Sequence, residues 1–326
     1  KTILIFDFFP YNLIIPHLKV YQRQFDEAKN IFQEIINSES LVDTEFVEKS
    51  NKFLAAYANF SYFKDAEQIF LELSLAKTLT EVTEYEAAIP LLFEILNEKN
   101  NYRDAWIVLG FAYLNTNKIP DAIDSLSQAK DLTPEKPETL FLLGLSHFAN
   151  DEIDKAIYYI EAADKAGYEP KDQINLKLGD LYLIKENYNK AAGKYETVIA
   201  ENQQNIDIYV KAVWLNIEKL NNPQKALKLA LETLQFHPEN EMSLNLVGWA
   251  YTANSDYEKG KQYLSQVLKI NPSFAAANLN FGWLKEKQGQ IKLAKAYYKK
   301  AYALGQGNAI GNLSAIRFNR LAEAEF

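Results

Sequence analysis

Two small residues recur along this chain with a shared period, and that constrains the fold more than any other feature. Glycine recurs as Gly110, Gly144, Gly179, Gly248 and Gly282, at steps of 34, 35, 69 and 34 residues. Alanine recurs as Ala88, Ala122, Ala156, Ala191, Ala226 and Ala294, with Gly260 in the same register. The long step spans two periods, and Trp214 stands where the missing glycine would be. A period of this length matches a helical hairpin. One hairpin is too small to bury its own apolar face and gains stability only by stacking on neighbours.

The stretch from Arg103 to Lys136 shows how one period is built. Ala105, Trp106, Leu109, Gly110 and Tyr113 follow at three- and four-residue steps, so they share one helix face. Asn115, Asn117 and Lys118 interrupt the apolar pattern. Pro120 suits the first turn of a second helix, whose stripe is Ala122, Ile123, Leu126 and Ala129. Pro134 closes the unit, because the residue before a proline is driven out of the helical region. Gly110 and Ala122 predict two antiparallel helices in close approach, with Trp106 and Tyr113 filling the space on either side.

This order of residues, W-x2-L-G-x2-Y followed by A-x3-F and a closing proline, with Leu126 in place of the phenylalanine, resembles the tetratricopeptide repeat (TPR) family. The resemblance implies an all-α, right-handed superhelical solenoid of antiparallel helix pairs whose first helices line a concave groove. Six such units are expected over residues 103–306, with a capping helix over 307–326. Gly305, Gly307 and Gly311 mark the break before that helix. It is read from Leu313, with Asn312, Arg317, Asn319, Arg320, Glu323 and Glu325 on a polar outer face. Residues 18–102 read as divergent hairpins. Phe25, Ala28, Phe32 and Ile35 form one stripe. A helix from about Val42 carries Phe53, Tyr57, Phe60 and Phe63, and another carries Ala66, Phe70, Leu73, Ala76 and Leu79. Tyr85, Ala88, Leu92 and Ile95 form a further helix with Pro90 in about its first turn. Residues 1–17 are an apolar segment, read as a cap over the first hairpin or as the exit of a membrane tether upstream of Lys1.

Composition narrows the function. The net charge of −8 argues against nucleic acid as a partner, where a basic face is expected. Absence of cysteine excludes disulfides, thiolate metal sites and cysteine nucleophiles. It suits either the cytoplasm or the periplasm and cell envelope of a bacterium. No phosphate loop, dinucleotide fingerprint or nucleophile elbow is present, and no apolar run reaches the roughly twenty residues of a membrane span. His17, His147 and His237 stand apart from one another. His147 occupies the place of Tyr113 and reads as a packing residue, while His237, before Pro238, reads as solvated. Catalysis, cofactors and metals are not expected, and no residue pattern assigns an oligomeric state.

The groove positions implied by the resemblance are Ile107 and Phe111 in the first unit, then Phe141, Leu145 and Phe148 in the second. Lys177 and Lys211 follow in the third and fourth, Asn245 and Trp249 in the fifth, and Asn280 and Trp283 in the sixth. Phe111, Trp249 and Trp283 stand where the family usually carries a small polar residue. Aromatics there suit an apolar groove that anchors an amphipathic helix or apolar peptide. The competing reading packs each of them on the adjacent first helix. Chaperone-binding members grip a terminal carboxylate with an ordered set of lysines and asparagines. Ile107 and Phe111 stand in place of its first pair, so chaperone tails are not the expected ligand. The leading expectation is a non-catalytic scaffold that binds a protein or peptide partner. The alternatives are a soluble repeat region of a tethered membrane or cell-envelope assembly, and a carbohydrate-handling module with tryptophans stacked on sugar rings.

Overall fold

The computed structural model describes residues 16–20, 22–37, 44–62 and 67–323. Among these every regular element is an α-helix. Residues 1–15 of the expected cap over 1–17, Phe63 and Ala66 of the expected stripes, and Glu325 of the expected polar face lie outside the described residues. The chain divides into two compact units, residues 1–168 and 169–326.

The first unit contains α1 (Phe25–Asn37), α2 (Thr44–Tyr62), α3 (Gln68–Glu81), α4 (Tyr85–Glu98), α5 (Arg103–Asn115), α6 (Ile119–Leu132), α7 (Pro137–Ala149) and α8 (Ile153–Lys165). Consecutive helices pack on one another. α1 buries Phe25, Ala28, Phe32 and Ile35, the stripe that its spacing predicts. Phe32 stacks on Phe53 of α2 with ring centroids 4.4 Å apart, and the Tyr57 hydroxyl donates to the Phe25 carbonyl at 2.8 Å. His17 lies against both rings, 5.0 Å from Phe53, and is only 8% exposed. Burial, with Lys49 nearby, lowers its pKa to about 4. Pro90 is the sixth residue of α4 and therefore lies in its second turn, later than its sequence position suggests. The reason is the turn before it. Thr83, at φ 65°, closes α3 and lets α4 begin at Tyr85. The missing amide strands only the carbonyl of Glu86, an exposed residue that water can serve.

The second unit contains α9 (Lys171–Ile184), α10 (Tyr188–Glu201), α11 (Ile206–Glu218), α12 (Pro223–Phe236), α13 (Glu241–Ala253), α14 (Tyr257–Ile270), α15 (Ala275–Lys287), α16 (Ile291–Leu304) and α17 (Ala309–Glu323). α17 starts four residues before Leu313. Gly311 lies inside it because the helix backbone passes directly over the Gly305 carbonyl and leaves no room for a Cβ. His237 is not simply solvated. Its Nε2 lies 3.0 Å from the Gln204 carbonyl and ties two loops together.

One contact explains the glycine period. A Cβ on Gly110 would sit 2.5 Å from Leu126, and one on Gly248 would sit 2.6 Å from Leu264. In each case the partner follows sixteen residues later, on the second helix. Ile160, Tyr195 and Tyr298 back Gly144, Gly179 and Gly282 in the same way. The small residue makes room for the large one, which is then almost wholly buried. In the hairpin of α11 and α12 the sizes are exchanged: Trp214 holds the glycine position, and Ala230, fully buried, holds the large one.

The turn inside each hairpin also repeats. Asn117, Asp151, Glu186, Asn221, Ser255 and Gly289 all have positive φ. After most of them the next amide returns to a carbonyl five residues back, as in Lys118 N to Tyr113 O at 2.9 Å. This is the Schellman closure. Asn and Asp tolerate the left-handed conformation by local hydrogen bonding. Glu186 and Ser255 adopt it because both flanking helices are fixed by packing.

Candidate partner-binding surfaces

The first helices carry the expected groove residues, and the two units treat them differently. In the first unit α5 and α7 are in contact. Ile107 and Phe111 of α5 are half-buried, as are Leu145 and Phe148 of α7. Phe111 meets Tyr85 edge-on at 6.0 Å. Phe141 is turned further in: it is 8% exposed and stacks on Tyr168 with centroids 4.3 Å apart. The result is an apolar face, partly open, made from adjacent hairpins.

In the second unit the corresponding positions are polar or aromatic, and most are held by other side chains. Lys211 reaches Asp180 at 2.6 Å, and the same Asp180 oxygen accepts from the Tyr195 hydroxyl at 2.7 Å. Burial and this bond to a carboxylate hold the Tyr195 hydroxyl far above the usual phenol pKa. Lys177, on α9, is half-buried. Asn280 donates its side-chain amide to Asn245 at 3.0 Å, and both residues are almost fully buried. Trp249 is 7% exposed, and its indole Nε1 is buried without a hydrogen-bond partner among the described residues.

Trp283 is half-buried beneath two cations. The Arg317 guanidinium lies 5.5 Å from its ring and Lys287 lies 5.4 Å away. Arg317 also pairs with Glu218 at 2.6 Å, and Arg320 pairs with Glu286 at the same distance. Glu286 in turn accepts from the Tyr298 hydroxyl at 2.7 Å. A small cleft of about 190 Å³ lies here, lined by Glu218, Thr252, Tyr257, Trp283 and Lys287 among others.

Arg317 therefore does not belong to the polar outer face assigned to it. It is 7% exposed and sits on the buried stripe of α17 with Gly311, Ser314 and Leu321. A three- and four-residue spacing from Ser314 and to Leu321 was the available signal: a lone arginine on an apolar stripe needs an internal anion. His147 is the packing residue that the repeat register predicts. It is 6% exposed, stacks on Tyr159 at 5.1 Å, and its Nδ1 lies 2.5 Å from Glu152. Lys155 and His147 together hold the Glu152 carboxyl down at about 2.

No cluster of metal-binding side chains occurs among the described residues. No helix among them is long and apolar enough to cross a membrane.

Comparison with known proteins agrees with the hairpin geometry. A tetratricopeptide repeat family model matches residues 107–170 and 245–309. The sol locus transcriptional repressor of Clostridium acetobutylicum is 35% identical over 80 residues, which is 24% of this chain and 25% of that protein. The peroxisomal targeting signal receptor of Candida albicans is 23% identical over 302 residues, or 85% of this chain and 47% of the receptor. The chain spans less than half the length of each of these curated relatives. Among solved structures, the C-terminal part of a TPR repeat-containing protein from Cytophaga hutchinsonii is 16% identical, with a TM-score of 0.58. That match covers 74% of this chain and 98% of the other. Residues 107–170 and 245–309 are similar to the tetratricopeptide repeat, and the packed hairpins with a shared glycine and alanine register have the fold of that family.

Proposed function

We propose that this chain is a non-catalytic interaction scaffold, and that its first unit binds the apolar side of a peptide or partner helix. Proteins of this family serve in general as protein-binding scaffolds, and one of the relatives bears the name of a targeting-signal receptor. The observation that carries the reading is the partly open apolar face of α5 and α7, made by Ile107, Phe111, Leu145 and Phe148. Apolar anchors spaced along stacked helices suit a ligand with apolar residues on one side, as helix-in-groove recognition requires. The groove positions of the second unit support this division of labour, because Asn245 and Asn280 are buried against each other and Lys211 is already paired with Asp180. The sugar-stacking alternative has less support, since Trp249 is buried and Trp283 is covered by Arg317.

The test compares wild type with a Phe111→Glu, Leu145→Glu variant. Circular dichroism first verifies that the helices remain. Affinity capture from the source organism should then lose its specific partners with the variant. Capture of the same set by both proteins would refute the inner-face reading.

A further inference from the structure

The second helices present a pair of surfaces that the scaffold reading does not use. A cleft of about 620 Å³ lies in the first unit where α4 and α6 flank α5, lined by Phe93, Trp106, Tyr113, Asp121, Asp124 and Leu132 among others. Phe93 and Leu132, 45% and 42% exposed, line the same cleft, so their apolar surfaces lie together. Asp121 and Asp124 are exposed and form no ion pair with any described residue. Their surroundings are acidic as well. α4 carries Glu86, Glu94 and Glu98 with no basic residue, Glu98 being paired with Arg23, and α6 carries three aspartates against Lys130, which pairs with Asp131. Lys118, 5.7 Å from the Tyr113 ring, is the cation at the edge of the cleft.

α16 in the second unit has the opposite character. It carries Lys292, Lys295, Lys299 and Lys300 and no carboxylate. Lys292, Lys299 and Tyr302 follow on one side of the helix, and Leu293, Lys300 and Leu304 form the neighbouring stripe. Leu293, Tyr302 and Leu304 are all exposed, Tyr302 beside a shallow cleft shared with Phe318 of α17. Lys292, Lys299 and Lys300 are exposed and form no ion pair with any described residue. The whole chain shows the same polarity. Residues 1–168 carry 27 carboxylates against 15 lysines and arginines, whereas residues 169–326 carry 16 against 20. The overall charge of −8 conceals this division.

We propose that the acidic cleft of α4 and α6 receives the basic α16 of a second copy of this chain, so that copies associate head to tail. Each surface offers exposed apolar side chains beside unpaired charges, aspartates at the cleft and lysines on α16, and the two signs are complementary. That arrangement favours correct pairing and suppresses contact between like surfaces. Because the two surfaces differ, the interface is heterologous and an open assembly keeps one free cleft at one end and one free helix at the other unless a ring closes. The association does not depend on the inner-face ligand.

Sedimentation velocity on the full chain tests this. At low ionic strength the chain should grow in size with concentration, and high salt should reverse the growth by screening. Asp121→Lys with Asp124→Lys, and separately Lys299→Glu with Lys300→Glu, should each weaken self-association by at least about tenfold, the range of electrostatic complementarity. All four positions are exposed, and circular dichroism verifies that the folds are intact. Mixing the two charge-reversed proteins should restore association between them, because every cleft then meets a helix of opposite sign. A chain that stays monomeric at every concentration in low salt overturns the proposal. So does self-association that neither pair of substitutions changes, or a mixture that remains monomeric. A lysine- and leucine-rich synthetic peptide that binds the cleft of a strictly monomeric chain would assign the cleft to another protein instead, and would also overturn it.

Discussion

The residue after the repeat glycine makes an instructive comparison between the two units. In the first unit it is Phe111 and Leu145, both half-buried. In the second it is Asp180, paired with Lys211, then Trp249 and Trp283, one almost fully buried and the other covered by Arg317. The register is the same and the access is different. Register fixes where along a helix a side chain sits. The neighbouring helix decides whether anything else can touch it, through what it places opposite. An aromatic at a groove position is an anchor only where the neighbour leaves it uncovered.

That contrast is breakable by substitution. Trp249→Ala should destabilise the second unit by about 3–5 kcal/mol, the usual cost of deleting a large buried aromatic, as read by denaturant unfolding. Phe111→Ala should cost clearly less, and equal costs would erase the distinction between the two units. Acid probes the first unit alone through His17. Its folded pKa of about 4 lies below the unfolded value of 6.5, so the unfolded chain binds the extra proton in between. Stability from the neutral imidazole is complete above pH 6.5 and is lost as pH falls towards 4. The loss should reach up to about 3 kcal/mol, and His17→Leu should flatten that part of the pH profile. Asp180→Ala leaves Lys211 and the Tyr195 hydroxyl unpaired, at a cost of about 1–3 kcal/mol. The smallest effect on stability belongs to half-buried Phe111. Phe111→Ser should cost about 1 kcal/mol, the centre of the range for single substitutions. It should still weaken a bound apolar helix about tenfold or more in a titration, as hot-spot truncation does.

The sequence carries the hairpins clearly for a physical reason. Gly110 with Leu126, or Gly248 with Leu264, is a contact between two helices of one unit, sixteen residues apart, so the local pattern contains both partners. The groove is harder to read because its contacts cross between units of the repeat. Asn280 finds Asn245 thirty-five residues away, and Lys211 finds Asp180 thirty-one residues away. Arg317 finds Glu218 across 99 residues. The period sets Asn245 and Asn280 at equivalent places, yet each side chain alone looks like an ordinary solvated residue, so the bond between them is not announced. Only the lone arginine on the apolar stripe of α17 breaks a local rule and so points to its buried partner.

The exchange of sizes at Trp214 and Ala230 has a consequence for how the chain assembles itself. Near-identical hairpins risk mispairing, with a first helix closing on the wrong second helix during folding. Trp214 suits a position opposite alanine and would collide with a leucine or tyrosine there. The odd hairpin therefore works as a key cut to one lock. It disfavours closure of α11 on the second helix of any other hairpin.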